Sequence, residues 1–262
     1  MTNNISFPKL GINFNINQVA IDIPLLGGIR WYGIIIGIGI ILAYLYCSHL
    51  AKKEGESPDV VTDLLLCALP VSIICARTYY VIFSWESYKD NIIDVFKIWE
   101  GGIAIYGAII GAIATAAVFC KVRKINMLKL FDICCLGLLI GQAIGRWGNF
   151  VNAEAFGYAT EGFLGMSING ALPVHPTFLY ESFWNIVGFF ILSYFNRKRP
   201  FYGFTFFSYL MWYGLGRFMI EGLRADSLYL GPVRISQMIA FFCVVIGIIG
   251  YWFCVKRKNS ER

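Results

Sequence analysis

The chain has 262 residues, 58% hydrophobic and only 15% charged, with a formal net charge of +6. Ordinary soluble domains are roughly 25% charged, so this balance excludes a water-soluble globule as the main architecture. The excess of Lys and Arg is spread over several connecting segments rather than gathered on one element, which excludes a nucleic-acid partner.

Residues 1–26 are polar with local alternation at Ile12, Phe14 and Ile16, the pattern of an arm containing a short strand. The opening MTNNISFPKL lacks the basic-then-apolar order of a cleavable leader, so the first apolar run is expected to persist as a helix. Crossing the hydrocarbon core takes about 20 mostly apolar residues. Seven stretches approach that length: 27–47, 60–83, 102–120, 132–150, 178–196, 202–221 and 235–255. They are too long for sheet strands. The expected fold is therefore all-α, a polytopic bundle of seven transmembrane helices forming one integral membrane domain over 1–262. Between the second and third runs, Ile92, Ile93, Phe96 and Trp99 recur at helical spacing among charges, predicting an interfacial amphipathic helix on the outer surface. The segment 151–177 is glycine-rich and carries Asn169-Gly170 between short apolar runs, a hairpin-turn signal.

Lys and Arg mark the loops near 121–131 (Lys121, Arg123, Lys124, Lys129) and 197–201 (Arg197, Lys198, Arg199) and the tail (Lys256, Arg257, Lys258, Arg262). Segment 151–177 has none. The positive-inside rule then places the N-terminus, the arm and the 151–177 insertion outside, and the C-terminus in the cytoplasm. The eight cysteines lie within or at the ends of apolar runs without a CxxC pair, and read as small hydrophobes. No metal-ligand spacing is present, and the histidines are His49, read as solvated, and His175. Gly137, Gly141, Gly145 and Gly148 share a face, as do Gly33 with Gly37 and Gly107 with Gly111, which predicts close helix packing.

An ionised side chain at membrane depth costs at least about 2.5–3.5 kcal/mol, so it should face protein or water. Asp63, Arg77, Asp132, Arg146, Glu181, Arg217 and Glu221 all lie in or beside apolar runs. Gln142, Arg146 and Asn149 form one polar stripe on the fourth run, with Glu154 just beyond. Tyr213, Arg217, Glu221 and Arg224 form another on the sixth. Both stripes end at the same leaflet and are expected to meet in a cavity suited to an anionic head group, since arginine offers a planar fork to phosphate oxygens. The bland alternative is a set of ion pairs, such as Arg217 with Glu221, that only lock helices. Arg77 is expected to pair with Asp63 or Asp132, and His175 to serve either a ligand site or a loop anchor.

Three other classes compete. A retinal pump needs a lysine within the last helix, and 235–255 has none. Transporters often show related halves, and no long repeat is visible. Intramembrane proteases need a Ser–His pair or paired aspartates in suitable motifs, which are missing.

The run Gly145-Arg146-Trp147-Gly148-Asn149-Phe150-Val151-Asn152-Ala153-Glu154 resembles the signature of the prolipoprotein diacylglyceryl transferases. Further matches, in the expected order, are Arg30-Trp31-Tyr32-Gly33, Ala76-Arg77-Thr78-Tyr79-Tyr80, Trp99-Glu100-Gly101-Gly102, the stretch His175 to Glu181 and Tyr213 to Arg224. The resemblance implies a multi-pass enzyme of the bacterial plasma membrane with its active site toward the outer leaflet. It implies phosphatidylglycerol as donor, and as acceptor a prolipoprotein signal peptide with a lipobox cysteine. No cofactor or metal is implied.

By the match, Arg146, Arg217, Tyr32 and Asn149 bind phosphatidylglycerol, and Glu154, Arg217, Tyr213, Tyr106, Glu221, Arg224 and His175 are catalytic candidates. Gly145, Gly148, Gly157 and Arg77 are structural candidates. One departure stands out: many members carry a histidine at the head of the third span, where this chain has Tyr106-Gly107-Ala108. Tyrosine, with an ordinary pKa of about 10 against about 6.5, is a poor unassisted base. Either a neighbouring cation polarises Tyr106 or that position is not the base. Glu154, in turn, either accepts the thiol proton or orients Arg146.

Overall fold

The computed structural model describes residues 2–22, 28–57 and 59–260. Parts of the expected arm (1, 23–26), Gly27 of the first run and Arg262 of the tail lie outside them. The chain forms β1 (Thr2–Phe7), β2 (Ile12–Asn17), β3 (Val19–Ile21), β4 (Ile29–Arg30), α1 (Trp31–Lys53), α2 (Asp59–Phe83), α3 (Ile105–Arg123) and α4 (Met127–Asn152). It continues through β5 (Ser167–Ile168), α5 (Thr177–Asn196), α6 (Phe204–Glu221), β6 (Tyr229–Leu230), β7 (Val233–Arg234) and α7 (Ile235–Ser260). Among the described residues, seven long helices therefore stand where seven apolar runs predict them, an all-α membrane bundle. Six are long and apolar enough to cross a bilayer. The exception is α6, whose 18 residues span about 27 Å at 1.5 Å per residue but include Arg217 and Glu221. Both charges are largely buried in the protein and pair with each other at 2.8 Å.

The chain divides into two compact units, Met1–Tyr46 with Phe131–Arg262, and Cys47–Leu130. In the first, α6 packs against α5 and α7. Gly214 admits the Ala240 carbonyl, 2.6 Å from where a Cβ would stand, and Gly247 admits Met211. The glycine face of α4 receives α1. A Cβ on Gly148 would stand 2.8 Å from the Tyr32 ring and one on Gly145 3.3 Å from Ile36. The Gly33–Gly37 pair does not pack as expected: both face open space, and it is Gly39 that abuts Gly141 and Ile144. At the other end of this unit, Asp132 accepts the Gly203 and Phe206 amides and so caps α6, with Arg199 beside it.

The arm is more than one short strand. β1 and β2 form a hairpin, and β5 joins β1 to complete a three-stranded antiparallel sheet in the order β2-β1-β5. Asn169 and Gly170 take φ of 52° and 77°, and Ala171 N–H closes the turn on Ile168 at 3.0 Å, as the Asn-Gly pair predicts. α4 runs on to Asn152, so the first two residues of the expected insertion are helical. Ile5 and Phe7 of the sheet are buried with Phe150, Met166 and Phe178. Phe14, Trp147, Phe150 and Phe178 meet in edge and tilted ring contacts. This aromatic plug ties the end of α4 to the start of α5.

In the second unit, Gly107 and Gly111 of α3 seat Ser72, Cys75 and Ala76 of α2. Arg77 does not pair with Asp63 or Asp132. Asp63 binds Arg123, and the Arg77 guanidinium donates to the carbonyls of Asp94, Val95, Gly101 and Gly102 at 2.6–2.8 Å, under the Tyr88 ring. Residues 92–100 form two short 3-10 helices, Ile92–Phe96 and Ile98–Glu100, where the spacing predicts one amphipathic helix, and Arg77 bonds the Asp94 and Val95 carbonyls of the first. Ile92, Ile93, Phe96 and Trp99 remain exposed apolar groups.

Candidate active site

Three arginines converge on one carboxylate. Arg146 projects from the last two turns of α4, Arg217 from α6, Arg224 from the turn after α6, and Glu181 from the second turn of α5. Glu181 Oε2 receives Arg146 Nη2 at 2.5 Å, while Oε1 receives Arg217 Nη1 at 2.9 Å and faces Arg224 Nη1 at 3.6 Å. One helical turn beyond, Glu221 Oε2 meets Arg217 Nη2 at 2.8 Å. Arg224 is gripped from outside by Asp226, Nε to Oδ1 at 2.9 Å and Nη2 to Oδ2 at 2.7 Å. These hydrogen bonds from Arg224 hold the Asp226 carboxyl below its ordinary range.

The two stripes therefore meet, but through a residue on a third helix. Glu181 stands among the charged residues of the apolar runs and ends the His175 match, yet sequence reasoning does not place it in the site. Its signal is its own burial cost: a carboxylate inside an apolar run needs cations. Here it is buried and has three.

The arginines are not equivalent. Arg146 is the most open, its side chain 24% exposed against 15% for Arg217 and 12% for Arg224. Its Nη1 reaches Asn149 Oδ1 at 3.3 Å, so among the described residues Glu181 and Asn149 leave it N–H groups to spare. Asn149 Nδ2 in turn donates to Glu154 Oε1 at 3.0 Å, and Asn152 Nδ2 to the same oxygen at 3.3 Å. Glu154 thus touches Arg146 only through Asn149. It sits between Ala153 and Ala155, both in the left-handed region (φ 53° and 56°), a conformation that costs non-glycine residues about 1–3 kcal/mol each.

Deeper in the bundle the stripes meet again. Tyr213 stacks on Tyr209 (5.9 Å between centroids), and Gln142 Nε2 donates to the Tyr209 hydroxyl at 2.9 Å. Tyr213, Glu181 and Arg217 line one small cavity with Trp184, Asn185, Gly216 and Ile220. Beside the cluster, a cleft of about 210 Å³ between α4 and α5 is lined by Leu139, Ala143, Trp147, Ser182, Ile186 and Phe190 among others. Trp147 and Ser182, the neighbours in sequence of Arg146 and Glu181, close its upper end with a hydrogen bond of 3.1 Å. Tyr32 lies on Gly148, the residue before Asn149 on α4.

Gly157 fixes the insertion to the turn after α6. Its N–H donates to the His175 carbonyl at 2.9 Å, and Tyr158 N–H to the Leu223 carbonyl at 2.9 Å. A Cβ there would stand 2.6 Å from Leu223 O and 2.7 Å from His175 Cβ. Gly157→Ala is expected to cost about 1–3 kcal/mol, read as a lower Tm in detergent, with looser seating of Arg224. Gly162→Ala, whose Cβ would meet only Thr160 Oγ1 at 3.2 Å, should leave Tm near wild type, and equal Tm for the two would refute the assignment. His175 has the contacts of a loop anchor: its backbone is bonded on both sides and its Nδ1 lies 3.3 Å from the Tyr180 hydroxyl. Tyr106 belongs to the other unit, in the first turn of α3, where its ring tilts against Tyr79 at 6.3 Å. Among the described residues no cation is paired with its hydroxyl.

A family described as prolipoprotein diacylglyceryl transferase matches residues 18–253. The chain is 45% identical over 245 residues to a phosphatidylglycerol–prolipoprotein diacylglyceryl transferase of Listeria innocua, covering 89% of this chain and 88% of the relative. It is 46% identical over 237 residues to one of Lysinibacillus sphaericus (84% and 86% covered), and 43% identical over 233 residues to one of Clostridioides difficile (89% and 94% covered).

Proposed function

The chain belongs to the prolipoprotein diacylglyceryl transferase family, and from that premise we propose how its arginine cluster carries the reaction. The enzyme transfers the diacylglyceryl group of phosphatidylglycerol to the cysteine thiol of a prolipoprotein, the first step of lipoprotein maturation. The observation that carries the assignment of roles is Glu181 holding Arg146 and Arg217 side by side at the ends of three helices.

In the reaction the thiolate sulfur attacks the glyceryl carbon that bears the phosphate ester. The S–C bond forms as the C–O bond breaks, and glycerol phosphate leaves with the bonding electron pair. The leaving group is already an anion, so it needs positive charge more than a proton. Arg146, the most open of the three, takes the phosphate through its free N–H groups. Arg217 faces the phosphate or the incoming thiolate, and lowers the thiol pKa from its usual value of about 8.5. Fixed donors in a site with little water need no reorganisation as charge develops. Asn149 and Tyr32 complete the lipid site. Glu154 accepts from Asn149 and so orients it against Arg146, a positioning role rather than that of the base. Tyr213, Glu221 and Arg224 hold Arg217 and Glu181 in register. The apolar cleft between α4 and α5, lined by Trp147 and Ser182 beside the cluster, receives an acyl chain of the donor.

The Lys and Arg distribution supports an N-terminus outside the plasma membrane and a cytoplasmic C-terminus. The cluster then faces the outer leaflet, where a signal peptide presents its lipobox cysteine. The test is transfer by the purified protein from phosphatidylglycerol labelled in its acyl chains to a lipobox peptide. Label is expected on the cysteine peptide and not on its serine counterpart. No transfer by folded protein would overturn the reading.

A further inference from the structure

Directly below the cluster, α5 and α6 are joined by a reciprocal contact of two tryptophans. Trp184 Nε1 donates to the Trp212 carbonyl at 3.0 Å, and Trp212 Nε1 donates to the Trp184 carbonyl at 3.1 Å. The indoles stack with centroids 4.4 Å apart and planes 21° apart. Each ring lies on a glycine of the opposite helix, Trp184 on Gly216 and Trp212 on Gly188; a Cβ on either glycine would stand 2.6 Å from an indole carbon. A helical carbonyl has a second lone pair to give, so neither bond costs the helix its own ladder.

This contact is placed where it sets the site. Glu181 is one turn before Trp184 on α5, and Arg217 follows Gly216 on α6. A slip of one turn between the helices would shift Glu181 by about 5.4 Å relative to Arg217 and Arg224. Ordinary ridge-and-groove packing tolerates sliding, whereas two antisymmetric hydrogen bonds and two glycine seats allow one register. Trp184 also lines the small cavity together with Glu181, Tyr213 and Arg217.

We propose that Trp184 and Trp212 are positioning residues for diacylglyceryl transfer, acting through Glu181 by fixing the register of α5 on α6. This rests on the transfer reading above. The experiment is a double-mutant cycle between Trp212→Phe, which keeps a ring but removes the N–H, and Glu181→Asp, which keeps the charge but shortens its reach. In the wild-type background Trp212→Phe should lower kcat/KM about tenfold, as expected of a misplacement well under 1 Å. In the Glu181→Asp background it should change kcat/KM less than twofold, because the geometry it protects is already lost. Gly247→Ala, which crowds Met211 at the α6–α7 seam, serves as a purely structural comparison and should act by the same factor in both backgrounds. Equal factors for Trp212→Phe in both backgrounds would overturn the proposal and leave the tryptophans as packing alone. The same cycle read as Tm distinguishes this failure from failure of the transfer reading: with no transfer by wild type, non-additive Tm changes still support the register coupling, and additive ones refute it.

Discussion

Glu181→Gln is expected to lower both the stability of the protein and the activity of what remains folded. Glutamine keeps the shape of the side chain but removes the charge that three guanidiniums share, and its amide N–H₂ turns donors toward donors. Breaking a buried charge pair by changing one partner typically costs about 3–5 kcal/mol, because the other partner is left uncompensated. Glu181 is 6% exposed, so solvent does little to replace it. Tm in detergent should fall by several degrees, and transfer per folded molecule by about 100-fold or more, since Arg146 and Arg217 repel one another once the carboxylate between them is gone. Glu181→Asp separates the two effects: charge is kept, so folding should be largely retained while transfer falls. A Glu181→Gln protein with wild-type Tm and wild-type transfer would remove Glu181 from the site.

What the sequence reveals and what it hides divide along a physical line. Apolar runs, the two polar stripes and the Asn169-Gly170 turn depend on local chain properties: transfer free energy, a 3.6-residue period, and φ above zero at two adjacent residues. Each is readable without knowing the packing. Glu181 has no stripe of its own on α5. Its meaning arises only once α5 carries it to arginines on α4 and beyond, so the sequence presents it as one costly charge among several. The Arg77 cradle is hidden for a different reason. Its partners are backbone carbonyls, which every residue owns and no side chain encodes, so a search for carboxylate partners leads to Asp63 and Asp132. The pairing of the arm with β5 spans more than 160 residues and is likewise invisible to local pattern. The Gly33–Gly37 motif errs in the opposite direction: small residues permit close approach but do not compel it, and here the neighbouring Gly39 makes the contact.

Arg146→Ala should separate structure from chemistry in a way Glu181 cannot. Removing Arg146 leaves Glu181 still bonded to Arg217 at 2.9 Å and facing Arg224, so no buried carboxylate is stranded. The aromatic plug of Trp147, Phe150 and Phe178 continues to hold α4 against α5. Tm should therefore fall less than for Glu181→Gln. Transfer, by contrast, should drop about 100- to 1,000-fold, the usual loss when one preorganised donor to developing negative charge is removed. Arg146→Lys keeps a positive charge but not the planar fork, whose separated nitrogens reach Glu181, Asn149 and a phosphate oxygen at once better than a single ammonium does. It should retain more activity than alanine, with the deficit appearing mainly as a raised KM for phosphatidylglycerol and little change in KM for the peptide. The same deficit in both KM values would mean that Arg146 orders the whole site rather than the donor's phosphate. Full transfer by Arg146→Ala would make this arginine a structural partner of Glu181 and pass phosphate recognition to Arg217.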